Sequence, residues 1–249
     1  MSETLKPHEI PSYTQMTGAV YDLIYADKDY EGEANRIKQM IAERNESGGN
    51  QILEAACGSG NYMQYLHRDF DIEGFDLSEQ QIASAVAKLP ENKIEVADML
   101  DFEMGKTYDN VLCLFSSIGY LGTKEKLKKA IANFARHTKP GGLVIVEPWL
   151  KREDFREGHV SIESDYNDDF AVSRMGVSSV EGNLSVLEMH HMVGTKEGID
   201  HFVETHKLAM YTAEDFSEAF GDAGLEIEYI PEGLQSKGRS RGLYIGKKS

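Results

Sequence analysis

The sequence predicts an α/β domain built on a mostly parallel sheet. Between residues 33 and 147, apolar strand-like segments alternate with amphipathic helical segments, a pattern typical of consecutive βαβ units. The first strand runs into a small-residue turn at residues 57–60, and the second strand ends in a carboxylate at Asp76. Because parallel strands end at the same edge of a sheet, both features are expected to border one crevice.

The composition narrows the class of protein. The 249 residues suffice for the core of a single domain over 1–249, and the formal net charge of -16 disfavours nucleic acid and anionic lipid as partners. Cys57 and Cys113 lie in apolar surroundings, which predicts buried thiols and favours a reducing cytoplasm. No apolar run reaches the roughly 18 residues of a membrane span, and the first residues lack the apolar core of a signal peptide. We expect a soluble, cytoplasmic protein that acts on a small molecule, with a homodimer as an open alternative to a monomer.

The N-terminal segment is rich in tyrosine. Four tyrosines within residues 13–30 need a surface to cover, either the body of the domain or a bound ligand. The second interpretation makes residues 1–30 a lid. Apolar residues at helical spacing then predict a helix over residues 33–44, and the first strand begins at Gln51.

The turn after the first strand has the residues of a cofactor loop. Gly58 and Gly60 have no Cβ atoms, so backbone amides can approach a ligand and the turn can adopt positive φ. Met63 occupies the third glycine position of the dinucleotide fingerprint, which weakens a nicotinamide interpretation. A tight turn without a ligand is the alternative, and the following strand ends favour the ligand.

Carboxylates follow the next two strands. Asp76 ends a strand predicted over residues 71–76 and is suited to accept hydrogen bonds from a ribose diol. Otherwise it would be a charge at the N-terminus of the helix predicted over residues 79–89. Asp98 and Met99 follow the third strand, where a carboxylate can accept the adenine amino group and a methionine can lie along the base.

The next two strands are predicted over residues 108–115 and 143–147, with an amphipathic helix over residues 123–137 between them. The apolar run of the fourth strand indicates burial on both faces, in the middle of the sheet. Glu147 ends the fifth strand, and the only tryptophan, Trp149, follows it. The carboxylate either faces an amine or is a solvated acid beside a packing tryptophan.

Residues 159–211 form β-rich segments joined by short turns, which predicts an antiparallel meander inserted after the fifth strand. Such an insertion would roof the crevice and supply substrate contacts. Histidines concentrate in this segment, but they are more typical of a polar sheet face than of ligands, and no spacing indicates a metal site.

The C-terminal part is predicted to contain a helix over residues 213–222 and a hairpin of strands at 225–230 and 242–246. A basic loop with Arg239 and Arg241 lies between the strands of this hairpin. Solvated surface charge is one interpretation, and diphosphate binding through the paired donors of arginine is the other.

The ordered motifs of the chain resemble those of class I S-adenosyl-L-methionine (SAM)-dependent methyltransferases. They are Leu53-Glu-Ala-Ala-Cys-Gly-Ser-Gly60, Gly74-Phe-Asp-Leu-Ser78, Ala97-Asp-Met99, Phe115-Ser-Ser-Ile-Gly-Tyr-Leu121, Lys139-Pro-Gly-Gly142 and Glu147-Pro-Trp149. Within this class, the Phe115 and Glu147 motifs, Tyr21-Asp-Leu-Ile-Tyr25 and the tail at Arg241 resemble TDP-3-amino-sugar N,N-dimethyltransferases of the desosamine and mycaminose type. The similarity covers nearly the full length, although Asp76 replaces the Glu that these enzymes prefer.

The resemblance implies a Rossmann-like class I methyltransferase fold: a mostly parallel sheet of seven strands in the order 3-2-1-4-5-7-6, with the last strand antiparallel. It also implies SAM as the cofactor. The expected SAM-binding residues are Tyr25, Tyr30, Ala56, Gly58, Gly60, Asp76, Leu77, Asp98, Met99 and Leu114. The residues expected to border a TDP-amino sugar are Ser117, Tyr120, Glu147, Trp149, Arg239 and Arg241.

We therefore predict an N-methyltransferase that moves the SAM methyl group directly to a neutral amine, mainly by alignment of the two reactants. Tyr25, Glu147 and His190 are the candidate proton acceptors. Two alternatives remain: N-methylation of a small free amine or amino acid, and a non-catalytic SAM-binding module. The position of the amine and the number of methyl groups are left open.

Overall fold

The computed structural model describes residues 18–234 and 240–249. Within these ranges the chain forms one sheet of seven strands and one of four. The helices are α1 (Gly18–Ile24), α2 (Tyr30–Arg44), α3 (Met63–Leu66), α4 (Glu79–Lys88), α5 (Lys124–Arg136) and α6 (Ala213–Asp222), with a 3-10 turn at Ser117–Leu121. The strands are β1 (Gln51–Ala55), β2 (Asp71–Asp76), β3 (Ile94–Val96), β4 (Tyr108–Cys113), β5 (Thr138–Val146), β6 (Val160–Tyr166), β7 (Ala171–Glu181), β8 (Leu184–Thr195), β9 (Gly198–Ala209), β10 (Leu225–Ile230) and β11 (Leu243–Lys248).

Across the described residues, the larger sheet has the order β10-β11-β5-β4-β1-β2-β3. Strands β1 to β5 pair with one another in parallel, whereas β11 is antiparallel to both β5 and β10. This arrangement confirms the expected fold class and strand order, with β11 as the seventh strand. The carboxyl ends of β1, β2, β3 and β4 therefore meet at one edge of the sheet.

Both faces of this sheet are covered by helices. Ile52 of β1 belongs to a core that includes Ile37 of α2, while its neighbour Leu53 packs into a core that includes Phe134 of α5. The two side chains separate because successive strand residues point to opposite faces. Every position of β4 is buried, which confirms the central place predicted from its apolar run.

Local hydrogen bonds decide where several helices begin. α2 starts at Tyr30, earlier than predicted, because the carboxylate of Asp29 accepts the Gly32 N–H at 2.9 Å. The side chains of Ser78 and Thr212 cap α4 and α6. α3 ends at Leu66, and β2 begins five residues later at Asp71.

The smaller sheet is an antiparallel meander in the order β6-β7-β8-β9, inserted between β5 and α6. This confirms the predicted insertion. The sheet contacts α1 through β6 and β7, and it contacts the 3-10 turn through β9. Because that turn follows β4, the meander covers the carboxyl edge of the larger sheet, and we call it the roof sheet.

No helix within residues 18–234 and 240–249 is both long enough and apolar enough to cross a membrane. Cys57 and Cys113 are buried free thiols, as predicted.

Candidate active site

A cavity of about 360 Å³ lies at the carboxyl ends of β1, β2, β3 and β4, within the size range of small-molecule sites. Eight of the ten predicted cofactor residues line it: Tyr30, Ala56, Gly58, Asp76, Leu77, Asp98, Met99 and Leu114. The predicted substrate residues Ser117 and Tyr120 line the same cavity. The structure thus brings together side chains that are far apart in the sequence.

The glycine loop is held by Asp76. One carboxylate oxygen of Asp76 accepts the Gly58 N–H at 2.8 Å, and the other accepts the Ser78 N–H at 2.9 Å. Burial raises the pKa of Asp76, and these backbone N–H groups oppose that rise. A carboxylate offers about four acceptor sites, so Asp76 retains capacity for ribose hydroxyls.

Gly58 and Gly60 serve different purposes. Both adopt positive φ, at 55° and 79°. A Cβ on Gly60 would lie 3.2 Å from the Cβ of Ala85 in α4, so its small size permits close helix packing. Gly58 lines the cavity and Gly60 does not. Gly60 therefore shapes the turn and does not contribute to the cavity wall.

Glu54 of β1 is a cavity residue that the sequence reasoning missed. Its side chain is almost fully buried, and its Oε2 atom has no hydrogen-bond partner among the described residues. Burial, together with the nearby charge of Asp76, raises its pKa to about 8. A carboxylate inside an otherwise apolar strand was the signal that could have identified it, because such a residue is rarely buried without a role.

The cavity offers groups that fit each part of SAM. Glu54, with its unpartnered oxygen, suits the cationic ammonium of the amino-acid portion, and Asp76 suits the ribose diol. Asp98 accepts the Leu100 N–H at 2.9 Å and stands beside Met99, so a carboxylate and a thioether meet where adenine is expected. The donor and acceptor chemistry therefore matches the cofactor implied by the motifs.

The loop after β4 has a strained backbone. Phe115 and Ser116 adopt left-handed conformations with φ of 51° and 63°, which are uncommon for residues other than glycine. The carboxylate of Glu147 accepts the Phe115 N–H at 2.7 Å, and the Ser116 hydroxyl donates to the Pro148 carbonyl at 2.7 Å. These bonds hold the strand-end loop that presents Leu114 and Ser117 to the cavity, a common use of local strain at functional sites.

Helix α1 is fastened to the glycine loop. The Asp22 carboxylate accepts the Ser59 hydroxyl at 2.6 Å and the Asn61 amide at 2.9 Å, and it pairs with Lys88 at 2.5 Å. Of the predicted lid, residues 1–17 lie outside the described residues. The part from residue 18 to residue 30 therefore covers the cofactor loop through a charged contact as well as through tyrosine rings.

Tyr25 does not line the cavity itself. Its hydroxyl accepts a hydrogen bond from Arg174 of the roof sheet at 3.0 Å. Its ring lies against two cavity residues, Tyr21 and Phe115, with centroid distances of 4.7 and 5.2 Å. Tyr25 thus links α1, the β4 loop and the roof sheet.

Glu147, Trp149 and Arg241 form one cluster beside the cavity. The Arg241 guanidinium lies 5.1 Å from the Trp149 ring centroid and 5.5 Å from that of Phe115, and 3.6 Å separates it from Glu147. Burial raises the pKa of Glu147, and the charges of Arg241 and Lys28 oppose that rise. Trp149 also donates to Ser185 of the roof sheet at 2.8 Å. Glu147, Trp149 and Arg241 are therefore neighbours, as expected, but they contact one another inside the protein.

Breaking this cluster on one side is expected to destabilise the protein. Arg241→Met leaves the buried Glu147 carboxylate without its main counter-charge, which should lower the free energy of unfolding by about 3 kcal/mol. The double variant Glu147→Gln/Arg241→Met should recover part of that loss, as measured by urea unfolding. Lys207→Met breaks an exposed pair with Glu181 and serves as the control, with a loss of at most about 1 kcal/mol. Equal losses in the single and double variants would contradict the buried pairing.

The structure separates His190, a predicted proton acceptor, from this site. His190 lies on the outer, exposed face of the roof sheet, next to Glu188 and stacked on His201, and it does not line the cavity. The alternation of side chains along β8 places it opposite the inner-facing His191. Arg239 lies outside the described residues.

This fold and cavity define a class I SAM-dependent methyltransferase, and residues 52–142 match the family described as "Methyltransferase domain". The chain is 37% identical to dTDP-3-amino-3,4,6-trideoxy-alpha-D-glucopyranose N,N-dimethyltransferase of Streptomyces venezuelae, over 91% of this chain and 95% of that protein. It belongs to the family of these nucleotide-amino-sugar N,N-dimethyltransferases.

Solved structures agree with this membership. The crystal structure of DesVI from Streptomyces venezuelae superposes with a TM-score of 0.86 at 36% identity, covering 93% of this chain and 98% of DesVI. The SAM-bound structure of CalS10, an amino pentose methyltransferase from Micromonospora echinaspora, has a TM-score of 0.81 at 29% identity and covers 97% of this chain and 100% of CalS10. We conclude that the protein whose sequence opened these Results, like CalS10, uses SAM as its cofactor.

Proposed function

We propose that this enzyme transfers methyl groups from SAM to the amine of a nucleotide-linked amino sugar. The main support is the similarity to a dTDP-amino-sugar N,N-dimethyltransferase over 91% of the chain. A match over that share of the chain extends beyond the cofactor loop into the roof sheet, which contacts the 3-10 turn that lines the cavity.

The cofactor is held by groups from successive strand ends. Glu54 would face the ammonium group, Asp76 the ribose hydroxyls, and Asp98 with Met99 the adenine. When bound, SAM supplies a methyl group on a positively charged sulfur, which is already a good electrophile. The protein therefore needs to align the amine with that methyl group, and alignment alone can lower the barrier by about 7 to 11 kcal/mol in favourable cases.

We propose that the acceptor amine lies on the side of the 3-10 turn. Ser117 and Tyr120 project from this turn into the cavity, and the roof sheet covers it. One oxygen of Glu147 accepts the Phe115 N–H, and the other faces the positive charge of Arg241 at 3.6 Å. For this reason we assign Glu147 a role in positioning the β4 loop rather than in accepting the amine proton. We propose that Tyr25 packs behind the residues that line the cavity and helps to close the cavity.

We further propose a cytoplasmic location, supported by the two unpaired thiols. That the protein forms a homodimer remains a prediction.

The function is tested with purified protein, SAM, and a panel of dTDP-amino sugars and free amines. We expect mass increases of one or two methyl groups on the dTDP-amino sugar only, which also shows whether the product is mono- or dimethylated. The matched hydroxy sugar nucleotide, which lacks the amine, should be unchanged. Turnover of free amines alone would contradict the proposal, and no turnover with any amine would favour a SAM-binding module.

A charge reversal separates a sugar nucleotide from a free amine as the substrate. Arg241 is unsuitable because it pairs with Glu147, so the variant is Arg239→Glu in the same basic loop. If this loop binds the diphosphate, the KM for the dTDP-amino sugar should rise about tenfold or more, since a charge-assisted hydrogen bond is worth about 1.5 to 3 kcal/mol. Lys129→Glu, at an exposed position of α5, is the control for net charge. An unchanged KM would remove the diphosphate assignment.

A further inference from the structure

A buried glutamine lines the cofactor end of the cavity. Gln81, in the first turn of α4, is 3% exposed, and it lines the cavity together with Asp76, Leu77, Asp98 and Met99. Neither its Nε2 atom nor its Oε1 atom has a hydrogen-bond partner among the described residues. The carboxamide therefore has both a donor and an acceptor that the rest of the chain does not satisfy.

The local structure places this amide on the buried face of α4. The Ser78 hydroxyl caps the helix by accepting the Gln81 N–H at 3.3 Å, which fixes the first turn. Ile82 and Ala85 share the buried face with Gln81 and are apolar, as is usual for the inner face of a helix. Gln81 is thus the polar exception on that face.

A buried carboxamide without partners costs free energy, because it has lost its hydrogen bonds to water and gained none in return. Buried polar groups in folded proteins are almost always paired, so an amide that the chain leaves unpaired points to a partner in the cavity. The last torsion of a glutamine side chain is broad. Since no hydrogen bond holds the Gln81 carboxamide, it can turn toward the contents of the cavity without breaking one.

The adenine of SAM needs a combination of groups that one carboxylate cannot supply. Its N6 amino group donates two hydrogens, and its ring nitrogens accept. Asp98 contributes a carboxylate, which only accepts. A carboxamide offers an acceptor and a donor side by side, and glutamine pairs with adenine in this way through N6 and a ring nitrogen next to it.

We infer that Gln81 recognises the adenine base of SAM. Its Oε1 atom accepts one hydrogen of the N6 amino group, and its Nε2 group donates to the ring nitrogen on the same side of that amino group, N1 or N7. Asp98 accepts the other hydrogen. The inference rests on the proposed position of adenine beside Asp98, and it is independent of the amine that receives the methyl group.

Binding of S-adenosyl-L-homocysteine (SAH), the demethylated form of SAM, tests the contact without turnover. Gln81→Met replaces the amide by an apolar side chain of similar size and should raise the Kd of SAH by about three- to tenfold, the effect of lost hydrogen bonds. Gln80→Met makes the same substitution one residue earlier, at an exposed position of α4, and should bind SAH normally. An unchanged Kd in Gln81→Met would overturn the inference.

Analogues of SAH identify the atom that Gln81 contacts. Replacing N1 or N7 of the adenine by C–H should raise the Kd of the unaltered protein by a similar factor for one of the two analogues, and Gln81→Met should bind that analogue as it binds SAH. The N3 analogue is the control and should affect both proteins equally, because N3 is not next to the amino group. Equal losses in both proteins for every analogue would contradict the contact, as would a Gln81-dependent loss confined to the N3 analogue.

Thermal unfolding separates recognition from a structural role. Without the cofactor the unpaired amide destabilises the protein, so Gln81→Met should raise the Tm by about 2 to 4 °C. The same concentration of SAH should raise the Tm of the unaltered protein more than that of the variant. A lower Tm of cofactor-free Gln81→Met would reveal a stabilising contact within the protein and overturn the inference. Failure of every dTDP-amino sugar as an acceptor would overturn the proposed function alone, since SAH binding involves no acceptor.

Discussion

Asp76→Ala is expected to raise the dissociation constant of SAM by about 10²-fold or more. Two hydrogen bonds from ribose hydroxyls to an ionised carboxylate are worth about 3 kcal/mol together, and their loss accounts for that factor. The alanine also releases the Gly58 N–H from its acceptor, which should loosen the cofactor loop. Titration calorimetry measures the change.

Two further variants locate the cause of this loss. Asp76→Asn retains one acceptor oxygen, so its dissociation constant for SAM should lie between those of the unaltered protein and Asp76→Ala. Asp71→Ala removes an exposed carboxylate from the opposite end of β2 and should bind SAM normally. Unchanged affinity in Asp76→Ala would eliminate the ribose assignment.

The second large effect concerns Glu54. Its pKa of about 8 in the folded protein lies above the ordinary value of 4.5, so the folded state holds this proton where the unfolded state has lost it. The contribution of Glu54 to stability therefore falls as pH rises from about 4.5 to about 8, and each pKa unit corresponds to about 1.4 kcal/mol. We therefore expect the difference in unfolding free energy between Glu54→Gln and the unaltered protein to grow in favour of Glu54→Gln by a few kcal/mol as the pH rises through that range. Above pH 8 the difference should stay constant.

Cofactor binding should reverse this penalty. If the SAM ammonium faces Glu54, binding favours the ionised carboxylate and releases a proton, so SAM affinity should rise with pH up to about 8. Calorimetry in buffers of different ionisation enthalpy counts the proton. Glu54→Gln should abolish this pH dependence, while Glu226→Gln, at an exposed position of β10, should retain it. Identical proton release in Glu54→Gln would place the ammonium elsewhere.

The cofactor half of the site could be predicted because it follows from strand order. Gly58, Asp76 and Asp98 each lie at the end of a strand or within three residues after it, and the ends of parallel strands converge whatever the details of packing. Gly60 shows the limit of that reasoning, since its proximity to Ala85 depends on how α4 packs. Glu54 was missed for a related reason: its position within a strand gave no sign that its side chain would reach the cavity.

The acceptor half depended on contacts between distant parts of the chain. For Glu147 the sequence left two alternatives, a carboxylate that faces an amine and a solvated acid. In the structure its carboxylate accepts the Phe115 N–H and lies 3.6 Å from Arg241, a residue far along the chain. Both His190 and His206 belong to the β-rich segment, and only His190 was a candidate proton acceptor. The register of β8 and β9 turns His190 outward and His206 inward, against Tyr120.

By itself, the sequence determined the fold class, because the alternation of strand and helix patterns depends on local periodicity, and its motifs, through their resemblance to a known family, indicated the strand order and the cofactor. Only the tertiary structure decided which polar side chains of the roof sheet meet the acceptor site. The physical reason is that a one-residue change of register moves every side chain of a strand to the other face, and the pairing that fixes the register joins residues far apart in the chain.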